Sequence, residues 1–147
     1  FDALRQRDIN LEVGISDRPG ELTYYSFQEP AFNTFNPKVA GTRESPLLSA
    51  DQIKVLRLSD VLDQHLKPDQ KIDFLSIDVE GLDIQVLRSN DWRRYRPSYV
   101  LAEALGMLDV AQVLNSELHG YMASQGYSLF AKCVNTLFFV DSSASDH

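Results

Sequence analysis

The segment KIDFLSIDVEGLDIQVLRSNDW, Lys71 to Trp92, constrains the fold more than any other stretch of this chain. Ile72 to Ile77 is apolar toward both faces of an extended strand, which suits the middle of a parallel sheet covered by helices better than an open antiparallel ribbon. The run stops on two carboxylates and a glycine, Asp78, Glu80 and Gly81. Beyond them Leu82, Ile84, Val86 and Leu87 take up helical spacing. SYVLAEAL, Ser98 to Leu105, repeats the arrangement as an apolar strand closing on Glu103. Strand, helix, strand, helix implies right-handed crossovers and a parallel sheet, whose ligands bind at the carboxyl ends of its strands. Asp78, Glu80 and Glu103 are therefore expected to converge on one crevice.

Carboxylates held together repel, so at least one has a raised pKa and becomes a candidate general base; the alternative is that they bind a divalent cation through oxygen. Plainer roles compete. An Asp at a strand end commonly caps the next helix, which applies to Asp78 and more strongly to Asp83, and for Glu103 taken alone a salt bridge is the ordinary role.

The rest of the chain supplies a frame for that crevice. Ile9, Leu11, Val13 and Ile15 alternate as in a strand, DRPG (Asp17 to Gly20) reads as a turn, and ELTYYSF returns, so a hairpin is expected over Ile9 to Phe27. Gln28 to Pro46, with three prolines and a glycine, reads as a long loop. IKVLRL reads as a strand, with Ser59 as the N-cap of a short helix, DVLDQHL. Val110, Leu114, Leu118, Tyr121 and Met122 mark one helix that Gly126 would stop, and SLFAKCV and TLFFVD close the chain as two strands. The expected division is one domain over residues 1–141 and a flexible tail over 142–147.

Composition narrows the function classes. A net charge of −7 over 147 residues argues against nucleic-acid or anionic-membrane partners, and RRYR (Arg93 to Arg96) is the nearest basic cluster. No apolar run approaches the roughly 20 residues that cross a bilayer. Cys133 is the single cysteine, so no disulfide forms within the chain; it reads as a small core residue, and a cytoplasmic location fits. His65, His119 and His147 share no metal-ligand spacing and are expected to face solvent, and no glycine-rich phosphate loop or Gly-x-Ser-x-Gly elbow is present.

IDFLSIDVEGLDIQVLRSNDW followed by RYRPSYVLAE resembles the FkbM family of S-adenosylmethionine-dependent methyltransferases. NLEVGISDRPGELTYYSF, EPAFNTF, VLRLSDVL and GYSLFAKCVNTLFFV resemble further segments of that family in the expected order. The resemblance implies an α/β class I methyltransferase fold, Rossmann-like, with a mostly parallel sheet and an antiparallel final strand. IDFLSID would be its fourth strand and SYVLAEA its fifth. The family's opening strands, with the glycine-rich loop for the cofactor's methionine and the acid for its ribose, have no counterpart here. A fragment of a longer protein is thus expected, inactive by itself and weak in S-adenosylmethionine binding.

The activity implied is methyl transfer to a hydroxyl of a sugar or other small metabolite. Asp78, Glu80 and Glu103 would be the catalytic candidates, Asp17 and Asp78 the cofactor contacts. No metal ligand is assigned, although a divalent metal is compatible with the carboxylates. The missing strands would leave a sheet edge open to homo-oligomer formation. Two alternatives stand beside this reading: a non-catalytic α/β binding or assembly module, and a metal-dependent hydrolase using Asp78, Glu80 and Glu103.

Overall fold

A computed structural model describes residues 5–107 and 109–144. It is a mixed α/β structure with two sheets. The first sheet has the order β1 (Gly14–Ile15), β3 (Leu47–Leu56), β2 (Gly20–Phe27); the second has the order β4 (Phe74–Ile77), β5 (Tyr99–Glu103), β7 (Thr136–Asp141), β6 (Tyr127–Cys133). The helices among the described residues are α1 (Pro37–Ala40), α2 (Leu58–His65), α3 (Asp83–Arg88), α4 (Val110–Leu114) and α5 (Glu117–Ser124).

The expected hairpin over Ile9 to Phe27 does not form. β1 and β2 flank β3 from opposite sides, with Gly14 and Gly20 both opposite Val55. Gly14 makes this possible, because a Cβ there would stand 2.7 Å from Val55 Cγ1. Only residues 14 and 15 of the alternating segment meet a partner strand, and Ile9 and Leu11 stay exposed. The long loop between β2 and β3 holds a 3₁₀ turn at Pro30–Phe32 and α1, and Tyr25 and Thr34 exchange backbone hydrogen bonds that tie it to β2.

The second sheet differs from the mostly parallel expectation. β4 and β5 run parallel, whereas β7 is antiparallel to both β5 and β6; the reversed last strand is present. β4 is an edge strand rather than a central one, and Phe74 is 65% exposed. Alternation explains how an apolar strand is accommodated there. Ile77, Val100, Ala102, Leu137 and Phe139 point to the core shared with Val86, Leu87, Leu118 and Met122, while Phe74 and Tyr99 point the other way, where Tyr99 meets Phe130 edge-on at 6.4 Å. Burying such apolar side chains contributes about 1.5–3 kcal/mol each.

Three local expectations change. Ser59 is not the cap of α2: it lies buried in the first turn, and the N–H groups of Leu58 and Ser59 are taken by the hydroxyl and carbonyl of the fully buried Ser89, 2.9 and 3.1 Å away. The helix expected from Asp109 onward is two helices. Asp109 and Gln112 form a capping box for α4, and the Ser116 hydroxyl accepts from His119 N–H to restart the chain as α5. Cys133 is exposed instead of buried, since it ends β6 beside the turn through Val134. His65 is exposed and His119 half-buried, whereas His147 lies outside the described residues, as do positions 145 and 146 of the expected tail. Ser142–Ala144 form a 3₁₀ turn.

Candidate active site

The acidic crevice is built by two parallel strands ending side by side, with Ile77 opposite Ala102. After Ile77 the chain turns through two consecutive left-handed residues, Glu80 at φ +52° and Gly81 at φ +89°, before α3 begins. Glycine adopts that conformation freely, whereas glutamate at such a φ costs on the order of 1–3 kcal/mol and persists only where its surroundings hold it. The turn projects Asp78 into solvent and sets Glu80 at half-burial, beside Glu103 at the end of β5. One carboxylate oxygen from each of Asp78, Glu80 and Glu103 lies within 4.8 Å of the others.

Asp83 is the buried brace beneath them. It is 3% exposed, and its Oδ1 accepts the backbone N–H of Glu103 at 2.9 Å. Neither helix-cap reading holds. α3 is preceded by Leu82 with no side-chain cap, and Asp83, its first residue, reaches across to β5. Burial is the main reason its carboxyl is pushed above the usual range. Glu103 is pushed up to about 7, first by burial and then by the charges of Asp78, Glu80 and Asp83 beside it. Its Oε2 is buried without a hydrogen-bond partner, and among the described residues it makes no salt bridge, which removes the ordinary role considered for it.

Two residues of this site carry little signal in the sequence. Arg43, from the loop before β3, donates to Glu80 Oε2 at 2.6 Å and lies 4.9 Å above the Phe32 ring. A lone arginine in a proline-rich loop gives no indication of its partner. Asp83 reads as a helix start, and its reach to β5 depends on the parallel register. A cavity of about 210 Å³ opens beside Glu103 and Asp83, lined also by Gly81, Leu105, Met107 and Leu118, while Asp78 and Glu80 stand outside it. A larger cleft of about 530 Å³, bordered by Arg57, Asn90 and Arg93, contains none of these carboxylates, so chemistry rather than volume marks the site.

Asp17 is placed apart in character: it is exposed after β1, and its Oδ1 takes the Ser16 hydroxyl at 3.3 Å. RRYR is absorbed structurally, with Arg94 paired to Asp63 and Arg96 clamped on Asp141 through two hydrogen bonds of 2.6 and 3.0 Å.

Glu103 can hold and release a proton at near-neutral pH, and the spacing of the three carboxylates is also one that a divalent cation with oxygen ligands can use. Among the described residues no helix is long and apolar enough to cross a membrane. No curated protein and no solved structure matches the chain. The Methyltransferase FkbM domain does match, over residues 2–129. With that domain covering most of its length, the chain belongs to the FkbM methyltransferase family.

Proposed function

We propose that the crevice of Asp78, Glu80 and Glu103 is the acceptor side of an S-adenosylmethionine-dependent O-methyltransferase acting on a hydroxyl of a sugar or other small metabolite. The observation that carries this reading is the cluster of Asp78, Glu80 and Glu103, one carboxylate oxygen of each within 4.8 Å of the others, at the carboxyl ends of two parallel strands in a chain of this family. S-adenosylmethionine, when bound, supplies an electrophilic methyl group on a sulfonium cation. The residues present fit it in charge, since clustered carboxylates favour a neighbouring cation, and Asp78 and Asp17 are the side chains assigned to hold it. The class I fold is part of this proposal and is supported by the β4–β5 parallel pair and the reversed β7.

The chain's own chemistry is proton handling. A hydroxyl nucleophile must lose its proton as its oxygen–carbon bond forms, and a carboxylate in hydrogen-bond reach takes it. Asp78 is exposed at the crevice mouth and is the acceptor of that proton. Glu103, whose carboxyl burial and neighbouring charges push up to about 7, is the adjacent reserve for that proton, its oxygen within 4.8 Å of one on Asp78. The same negative field disfavours carboxylate or phosphate acceptors and favours neutral polyhydroxylated ones. In the full-length protein, replacing Asp78→Asn should lower methyl transfer by roughly 10²–10⁴-fold with folding intact. Unchanged turnover would reduce Asp78 to a residue of the turn.

The free edge of β4, with Phe74 exposed, supports self-association of this chain through that edge. Sedimentation of Phe74→Lys against the native protein tests this, and identical monomer fractions would count against it. The exposed lone thiol of Cys133 fits a reducing, cytoplasmic compartment.

A further inference from the structure

We propose that Arg43 is a positioning residue of this crevice, neutralising and orienting Glu80 so that Asp78 and Glu103 are left as the working carboxylate pair. The inference rests on the reading of the crevice as the reacting site.

Geometry carries it. Glu80 occupies a left-handed backbone conformation that a glutamate adopts only under constraint, and its side chain ends on Arg43 Nη2 at 2.6 Å. That contact is the only hydrogen bond found for the Glu80 carboxylate among the described residues. Arg43 is in turn fixed from the other side, its guanidinium lying over the Phe32 ring and its Nε buried with no acceptor. The two side chains are 22% and 30% exposed, shielded enough for their attraction to exceed that of an open surface pair. The segment bearing Arg43 is itself held: Asn36 caps α1 by accepting from Lys38 N–H at 3.0 Å, and the Thr42 hydroxyl donates to Val39 carbonyl at 2.9 Å.

The consequence is a division of labour among three acids that look equivalent in the sequence. Three carboxylate oxygens within 4.8 Å would be strongly self-repelling if all were ionised. The guanidinium answers the charge of Glu80, and a proton on Glu103 answers the second. The groups facing Glu103 are Asp78 and Glu80 from the turn after β4 and Asp83 from α3, with Arg43 acting on it through Glu80. Arg43 therefore sets how readily the working pair gives and takes a proton without touching the acceptor.

The test is the titration of the Glu103 side-chain carboxyl, followed by carbon NMR from pH 4 to 9 in the wild-type chain and in Arg43→Gln, Arg43→Lys, Glu80→Gln and the Arg43→Gln/Glu80→Gln double variant. Arg43→Gln should raise the midpoint by about one pH unit, because the Glu80 charge is no longer answered. Arg43→Lys should keep it near the wild-type value, and Glu80→Gln should lower it. In the Glu80→Gln background the Arg43 substitution should have a clearly smaller effect, because only the guanidinium's own field on Glu103 is then lost. An unchanged midpoint in Arg43→Gln, or the same rise with and without Glu80, would overturn the proposal. Should Arg43→Gln fail to fold, Arg43→Met takes its place in both backgrounds, and an unmoved midpoint there is equally fatal. The titration requires neither cofactor nor acceptor. A protein that transfers no methyl group would remove the functional reading while leaving this result standing, and the converse also holds.

Discussion

The carboxylate of Asp83 accepts the backbone N–H of Glu103 at 2.9 Å, joining the first residue of α3 to the last residue of β5. This one hydrogen bond fixes the distance between the helix that follows β4 and the neighbouring strand, and so fixes where Glu103 stands relative to Asp78. It is made by a residue almost wholly removed from water, whose second oxygen, Oδ2, has no partner.

Asp83→Ala should therefore destabilise the fold by about 1–3 kcal/mol, because the Glu103 N–H loses its acceptor in a buried place. Asp83→Asn should cost less, since its amide oxygen still accepts and no buried charge remains. Urea unfolding of the three proteins checks this; an alanine variant within about 0.5 kcal/mol of wild type would show the bond to be dispensable.

Stability should fall as the pH rises across the titration of Glu103. Its folded-state pKa is raised from 4.5 to about 7, so its contribution is complete below pH 4.5 and is lost as pH climbs through about 7. Asp83, also raised, acts with the same sign. Comparing denaturation midpoints at pH 5 and pH 8 should give a larger drop for wild type than for Glu103→Gln. Equal drops would place the effect elsewhere.

Arg96 and Asp141 make the opposite case. The guanidinium holds the Asp141 carboxyl below its usual range, so stability from this pair is present above pH 3.8 and is lost as pH falls below it. Arg96 also donates to the carbonyls of Gln125 and Trp92 at 3.0 and 3.3 Å, tying β7 to the end of α5 and the α3–β5 connection. Arg96→Met should cost roughly 2–4 kcal/mol, as expected when one partner of a largely buried pair is removed. Thermal unfolding at pH 6 and pH 3 measures it, and the penalty should shrink at the lower pH.

What could be read from the sequence was governed by the range of the interactions involved. The strand–helix alternation around Asp78 and Glu103 is local, set by apolar spacing and a glycine turn, and the convergence of the three acids followed from it. β1 was overextended because alternation does not reveal that only Gly14 and Ile15 find a partner strand. Ser59 has the local pattern of a cap, and nothing near it in sequence points to the true partner, Ser89, 30 residues away. The same is true of Arg43, whose contact with Glu80 spans 37 positions and leaves no periodic trace. β4 was placed inside its sheet because an apolar strand looks alike at the edge and in the middle when one of its faces is fully packed.

The pH dependence of methyl transfer separates a proton-accepting Asp78–Glu103 pair from two carboxylates that serve only the fold. Initial rates of the full-length protein would be followed with S-adenosylmethionine carrying a labelled methyl group and a panel of neutral sugars as acceptors, in wild type, Asp78→Asn and Glu103→Gln. If Asp78 and Glu103 receive the hydroxyl proton, the wild-type rate rises with pH through a midpoint near 7, where Glu103 gives up its proton. Glu103→Gln should lose that rising limb, and Asp78→Asn should be slow at every pH. A wild-type rate independent of pH between 5 and 9, with Asp78→Asn as active as wild type, would contradict the account.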